Sequence, residues 1–184
     1  MAIYLETARL ILRDWQDSDA DTYVQMNLNP AVRRYFPGLQ TREESLAAIE
    51  RFQNGIRTRG YGFFAVALKA SDAFIGFTGL SHPGFDAWFT PYPEIGWRLS
   101  ETAWGQGYAT EAAQACLDAA FTRWNMEVVY SFTAAPNLPS ERVMQRIGME
   151  KHSTFQHPQL PEGHWLREHV LYRAFSPSRK TISS

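Results

Sequence analysis

The stretch Trp104-Gly105-Gln106-Gly107-Tyr108-Ala109, running straight into a helix predicted over 110–124, decides the fold. The helix follows from spacing: Ala113, Cys116, Leu117, Ala120, Phe121 and Trp124 fall at i, i+3, i+4, i+7, i+8 and i+11, one apolar face of a 3.6-residue period. Two glycines permit positive φ and close approach of a ligand to the main chain, and the helix start offers unpaired N–H groups with partial positive charge. Together these form a cradle for phosphate oxygens. A Gly-x-Gly turn before a core helix is by itself an ordinary structural turn, so its neighbours carry the decision.

Upstream, the run Glu94-Ile95-Gly96-Trp97-Arg98-Leu99 reads as a strand that enters the loop through residues 100–103. Before it lie a hairpin over 62–68 and 73–80 and an aromatic, proline-rich loop over 83–93, whose three prolines exclude a central strand. Towards the N-terminus, residues 9–13 read as a first strand, Asp17 or Ser18 caps a helix to Leu28, and Thr41-Arg42-Glu43-Glu44 has the form of a capping box opening a helix to Thr58. Downstream, residues 128–133 form a β-branched and aromatic strand, Asn137 caps a helix to Ile147, and Gly148 stops it. Two strands, near 150–155 and 165–175, close the pattern, and residues 176–184 read as a polar, disordered tail. The order β-α-α-β-β-β-α-β-α-β-β gives an α+β sandwich with helices on both faces of a central sheet.

The 184 residues suit one domain, and the interspersed 18 basic and 19 acidic side chains leave no polybasic block for nucleic acid or an anionic membrane. A small or peptide ligand fits better. There is no signal-peptide pattern at the N-terminus and no run of about 18 apolar residues, which points to a soluble, cytoplasmic protein. The lone cysteine, Cys116, sits on the apolar helix face, against a covalent acyl-cysteine. His82, His152, His157, His164 and His169 show no ligand spacing, so no metal is expected. A dinucleotide-binding reading fails because Thr110 stands where the Rossmann fingerprint needs its third glycine.

With these elements placed, the chain resembles the GNAT superfamily of acyl-CoA N-acyltransferases, and most closely its RimJ/RimL-like branch, which contains ribosomal-protein alanine N-acetyltransferases. The resemblance runs from Leu5-Glu6-Thr7-Ala8-Arg9-Leu10 to Leu171-Tyr172. Its most specific pieces are Glu94-Ile95-Gly96-Trp97, the run Trp104 to Ala112, and Asn137-x-x-Ser140 with the Gly148 ending. One departure is Trp104, where the family pattern Gln/Arg-x-x-Gly-x-Gly/Ala favours Gln or Arg; the contacts of that motif are chiefly main-chain, so cofactor binding is expected to survive. The resemblance implies a GNAT-like fold over residues 1–175 as a single acetyltransferase domain: a central mixed, largely antiparallel sheet with helices on both faces, splayed between the fourth and fifth strands. It implies acetyl-CoA as co-substrate and an amine acceptor, with the protein a monomer or homodimer.

By the same resemblance, Trp104, Gly105, Gln106, Gly107, Tyr108, Ala109 and Thr110 form the coenzyme A loop, with main-chain N–H groups from Gln106 to Thr110 on the pyrophosphate. The edge of Trp97, Arg98 and Leu99 would pair with the amides of the pantetheine arm, and Asn137 would add a cofactor contact. Acyl transfer needs a neutral amine, an oxyanion stabiliser and a protonated leaving thiol; a free α-amine near ~7.7 to 8 needs far less help than a lysine amine near ~10.4. Glu94 is the candidate base and Ser140, at the position this branch uses, the candidate acid; a solvated strand-start carboxylate and a helix-start hydrogen bond are their ordinary alternatives. Trp88, Tyr92 and Trp165 are candidate walls of the acceptor pocket, or else a loop cap or dimer surface. The alternative function is a catalytically silent acyl-CoA-binding or sensing module. Acceptor identity lies in loops such as 83–93 and 156–164 and is not encoded by the cradle.

Overall fold

A computed structural model describes residues 1–179. Eight strands form one sheet in the order β1-β2-β3-β4-β5-β6-β8-β7. These are β1 (Ile3–Glu6), β2 (Leu10–Arg13), β3 (Phe63–Leu68), β4 (Phe74–Ser81), β5 (Glu94–Leu99), β6 (Val128–Ala134), β7 (Glu150–Gln156) and β8 (Glu168–Phe175). The helices are α1 (Asp19–Leu28), α2 (Arg42–Arg59), α3 (Tyr108–Thr122) and α4 (Leu138–Arg146). Every neighbouring pair is antiparallel except β5 and β6, which run parallel and pair at one position only, Glu94 with Tyr130. This is the mixed, largely antiparallel sheet expected, split where the fourth and fifth strands of the sequence reading meet.

Alternation along β3 assigns the two layers, since successive side chains of a strand point to opposite faces. Phe63 packs edge-on against Phe52 of α2 at 5.2 Å between ring centroids, whereas Phe64 stacks with Trp124, just beyond α3, at 6.2 Å. Helices α1 and α2 thus cover one face and α3 the other. A buried bidentate pair ties β2 to α1: Arg13 Nη1 and Nη2 donate to the two Asp19 carboxylate oxygens at 2.7 and 2.9 Å. The capping box at Thr41 and Glu44 is present, Asn137 accepts from the Ser140 N–H as N-cap, and Gly148 ends the last helix at φ 79°.

Four boundaries differ from the sequence reading. Strand β1 is additional: Ile3–Glu6 is four residues long with exposed ends, and it becomes a strand only by pairing with β2. Helix α3 starts at Tyr108, directly on Gly107, and ends at Thr122, because Asn125 turns the chain at φ 51°. The last strand starts at Glu168, so Trp165 lies in the turn before it. The tail does not begin as disorder: the Ser176 N–H donates to Glu127 O at 2.9 Å, and Pro177–Arg179 makes one 3₁₀ turn. Residues 180–184, the rest of the expected tail, lie outside the described residues.

Candidate active site

The loop at the head of α3 has the conformation that only glycine adopts without strain: φ is 72° at Gly105 and 79° at Gly107. Gly107 is the N-cap and has no side chain to cap with, and the first intrahelical bond is Glu111 N–H to Gly107 O at 3.0 Å. The N–H groups of Tyr108, Ala109 and Thr110 are therefore the orphan donors of the first turn. A Cβ built on Gly105 meets nothing within 4 Å, so the open side of the loop is free for a ligand.

A network from the first β-turn locks this loop. Glu111, in the first turn of α3, accepts from Thr7 Oγ1 at 2.6 Å, from the Arg9 N–H at 2.9 Å and from Arg9 Nε at 2.6 Å. Arg9 Nη1 in turn donates to Gln106 O at 3.0 Å, and its guanidinium lies 4.5 Å over the Tyr108 ring. Partial burial opposes ionisation of Glu111, but the Thr7 and Arg9 hydrogen bonds and the Arg9 charge outweigh it and hold the carboxyl below its ordinary pKa. Thr7, Arg9 and Glu111 appeared in the sequence only as parts of the resembling motif; their shared role needed the fold.

Where β5 and β6 separate, the gap between them widens into a cavity of about 700 Å³. The last contacts before the split are Tyr130 N–H to Pro93 O at 3.0 Å and Ser131 Oγ to Ile95 O at 2.9 Å. In an antiparallel pair, residues bond alternately towards one neighbour and the other. Since Pro93 and Ile95 turn towards β6, Trp97 and Leu99 do so as well, and their edge lines the cavity with no strand opposite. Arg98 has the opposite phase: its main chain faces Phe77 of β4, and what it gives the cavity is its side chain. The expectation that Arg98 pairs through its main chain is corrected by this phase. Trp104 also has a defined task, since its indole Nε1 donates to Leu99 O at 3.1 Å.

Of the cofactor candidates, Trp97, Arg98, Leu99, Trp104, Gly105, Gly107, Tyr108, Ala109, Thr110 and Asn137 all line this cavity, as does Ser140. Gln106 does not; its carbonyl is held by Arg9. Asn137 Nδ2 donates to Thr133 Oγ1 at 2.8 Å and to Ser140 Oγ at 3.1 Å. The Ser140 hydroxyl is thereby an acceptor from Asn137 and keeps its own proton to give. Glu94 stands at the closed end of the split, two residues beyond Gly96 on the same strand face. Burial pushes its carboxyl up to about 7, and no hydrogen bond or ion pair from the described residues lowers it.

The acceptor candidates sit apart from the cavity wall. Trp88 and Tyr92 are exposed and rest on Tyr130, both at 5.7 Å between ring centroids, while Phe89 of the same loop is buried against Tyr130 and Phe132. Trp165 is exposed with its ring 6.4 Å from Tyr35, which does line the cavity. Residues not singled out by the sequence complete the site: Tyr35 and Phe36 from the α1–α2 connection, and the arginines Arg34, Arg142 and Arg146. Cys116 is fully buried and its thiol is pushed far up by burial, so it is no nucleophile. Among the described residues no group of three metal-ligating side chains converges, and no helix is long and apolar enough to cross a membrane.

A glycine-started helix opening onto a split sheet suits an extended, phosphate-bearing ligand. The chain belongs to the GNAT acetyltransferase family: the family model described as "Acetyltransferase (GNAT) domain" matches residues 9–150. It is 30% identical over 156 residues to the uncharacterized N-acetyltransferase YnaD of Bacillus subtilis, covering 84% of this chain and 86% of that one. In fold it is similar to a GNAT-family acetyltransferase from Bacillus anthracis, with a TM-score of 0.77, 24% identity and coverage of 96% of this chain and 99% of that one. It is also similar in fold to RimL, the ribosomal L7/L12 α-N-protein acetyltransferase solved with coenzyme A, with a TM-score of 0.73, 17% identity and coverage of 95% and 98%. The protein is thus an N-acetyltransferase of this family, one that moves an acetyl group to an amine.

Proposed function

We propose that residues 1–175 act as one domain that transfers acetyl from acetyl-CoA to a primary amine by direct attack within a ternary complex. The observation that carries this reading is convergence: cradle, the β5 edge that has no partner strand and the Asn137–Ser140 pair open onto one cavity, whose β5 lining begins at Gly96, two residues from Glu94. The residues fit the donor. First-turn N–H groups of α3 suit the pyrophosphate, the edge of Trp97 and Leu99 suits the amides of the pantetheine arm, and exposed Arg142 and Arg146 add positive charge at the rim. When bound, acetyl-CoA supplies an activated thioester.

The chain's own groups then do the following. Glu94, with its carboxyl near 7, takes a proton from the incoming ammonium through water. A main-chain N–H of the Trp97–Leu99 edge holds the oxyanion, and the Ser140 hydroxyl donates to the departing sulfur. Buried Cys116 leaves no route for an acyl-cysteine intermediate. The acceptor is a protein N-terminus or a small-molecule amine.

Isothermal titration calorimetry with acetyl-CoA tests the donor half. Micromolar binding is expected, weakened at least about tenfold in Gly107→Val, because a β-branched residue at φ 79° distorts the loop. Unchanged affinity in that folded variant refutes the cradle. Thiol release with N-terminal peptides and small amines tests the acceptor half, and a protein that binds acetyl-CoA but acetylates none of them would be a binding module instead.

A further inference from the structure

The floor of the cavity on the α1–α2 face carries a cation with no counter-charge. Glu94, Gly96 and Arg98 alternate onto this face of β5, spaced so that Glu94 and Arg98 are roughly 13 Å apart along the strand. The Arg98 guanidinium lies 4.2 Å over the Phe36 ring and 5.4 Å over Phe77, and its Nη1 donates to Asn27 Oδ1 at 3.0 Å. Its Nε is buried with no partner, and Nη2 has none among the described residues. A second arginine shares the same ring: buried Arg33 lies 4.7 Å over Phe36, with Nε donating to Gly38 O at 2.8 Å. Burial and the neighbouring Arg98 push Arg33 down to about 10.

Neither arginine forms an ion pair among the described residues, and no Asp or Glu lines the cavity. The acid that Arg33 senses, Glu44, is exposed at the start of α2 and engaged in its capping box. Two desolvated guanidiniums side by side are costly unless an anion joins them. The coenzyme does not account for that anion, because its cradle is at the head of α3, on the opposite face of the sheet, and Arg98 turns its main chain away from the gap. Asn27 and Phe36 fix the guanidinium, so its free donors present a rigid fork of the kind that fits a carboxylate.

We propose that the acceptor amine carries a carboxylate, which Arg98 binds while the amine lies in the cavity beside it. This rests on the acetyltransferase reading above and narrows its acceptor to amino acids and other aminocarboxylates. Arg33 raises the local positive potential without touching the acceptor.

The test pairs acceptors that differ only in charge: L-amino acids, β-alanine and γ-aminobutyrate against their carboxamides, read by thiol release from acetyl-CoA. The best acid should exceed its amide by about tenfold or more in kcat/KM, the worth of one charge-assisted hydrogen bond. Arg98→Met should remove that preference through KM of the acid while leaving acetyl-CoA affinity within about twofold; Asn27→Asp, which supplies an internal carboxylate to Arg98, should do the same if the methionine variant fails to fold. A readout independent of turnover is thermal stabilisation by the acids at millimolar concentration, expected in wild type, absent with the amides and absent in either variant. Equal use of acid and amide, or no acid-specific stabilisation, overturns the proposal, as does loss of acetyl-CoA affinity in Arg98→Met. Failure of acetyl-CoA to bind wild type while the acids still stabilise it would instead overturn only the donor reading.

Discussion

In the proposed mechanism, Glu94 and Ser140 divide the proton work between the two arms of the split. For a carboxyl whose folded pKa is raised by burial to about 7, the ionised form is favoured only above that value, so kcat/KM should rise with pH through about 7. Glu94→Gln should lose that limb, leaving only the titration of the acceptor amine itself, as measured by pH–rate profiles with a fixed acceptor. The stability linkage has the opposite sense. Ionising Glu94 in the fold costs free energy that the unfolded chain does not incur, so stability falls as pH rises from the ordinary carboxylate range to about 7, and Glu94→Gln should melt higher than wild type above pH 7. Ser140→Ala keeps the helix cap, because the cap runs from the Ser140 N–H to Asn137 Oδ1 and Asn137 Nδ2 retains Thr133. Its expected signature is therefore a fall of about 10- to 100-fold in kcat with acetyl-CoA affinity unchanged. Loss of affinity instead would assign Ser140 to binding.

At the scale of elements, the cradle is only as good as the bracket that holds it. Glu111 joins α3 to the turn before β2 by three hydrogen bonds, and Arg9 passes the constraint on to the Gln106 carbonyl. Glu111→Ala should therefore weaken acetyl-CoA binding by about three- to tenfold and lower the melting temperature, although Glu111 itself touches no ligand. The same effect should appear in wild type as pH falls through the depressed Glu111 pKa, since a carboxylate held below its ordinary value stabilises the bracket above that range and releases it below. Features of this kind divide by how local their causes are. The α3 periodicity, the Thr41 capping box and the Gly148 stop depend on residues within one or two turns and were readable as such. Strand β1 depends on pairing with β2, and the separate tasks of Trp97 and Arg98 depend on ladder phase, which a six-residue run does not reveal. Arg34, Arg142 and Arg146 look like solvated surface charge until the fold turns them to one cavity.

For the molecule as a whole, the sheet is two antiparallel blocks, β1 to β5 and β6-β8-β7, whose strands are joined among the described residues at one ladder position and by one side-chain hydrogen bond. In the proposed binding mode a donor lying between them would replace the missing strand contacts, so its binding would also repair the sheet. At 100 times its dissociation constant, acetyl-CoA should add about 2.7 kcal/mol, a rise of roughly 5–10 °C in melting temperature for a chain of this size. Hydrogen exchange should show the Trp97 and Leu99 amides exchanging freely without ligand and protected with it, while those of β3 and β4 stay protected throughout. The indole of Trp104 stands at this junction, half-exposed, with its N–H on the Leu99 carbonyl at the cavity edge. Its position makes it a built-in fluorophore: donor binding should change its emission, and Trp104→Phe should erase that change from the signal of the other five tryptophans, giving a label-free optical titration of the site.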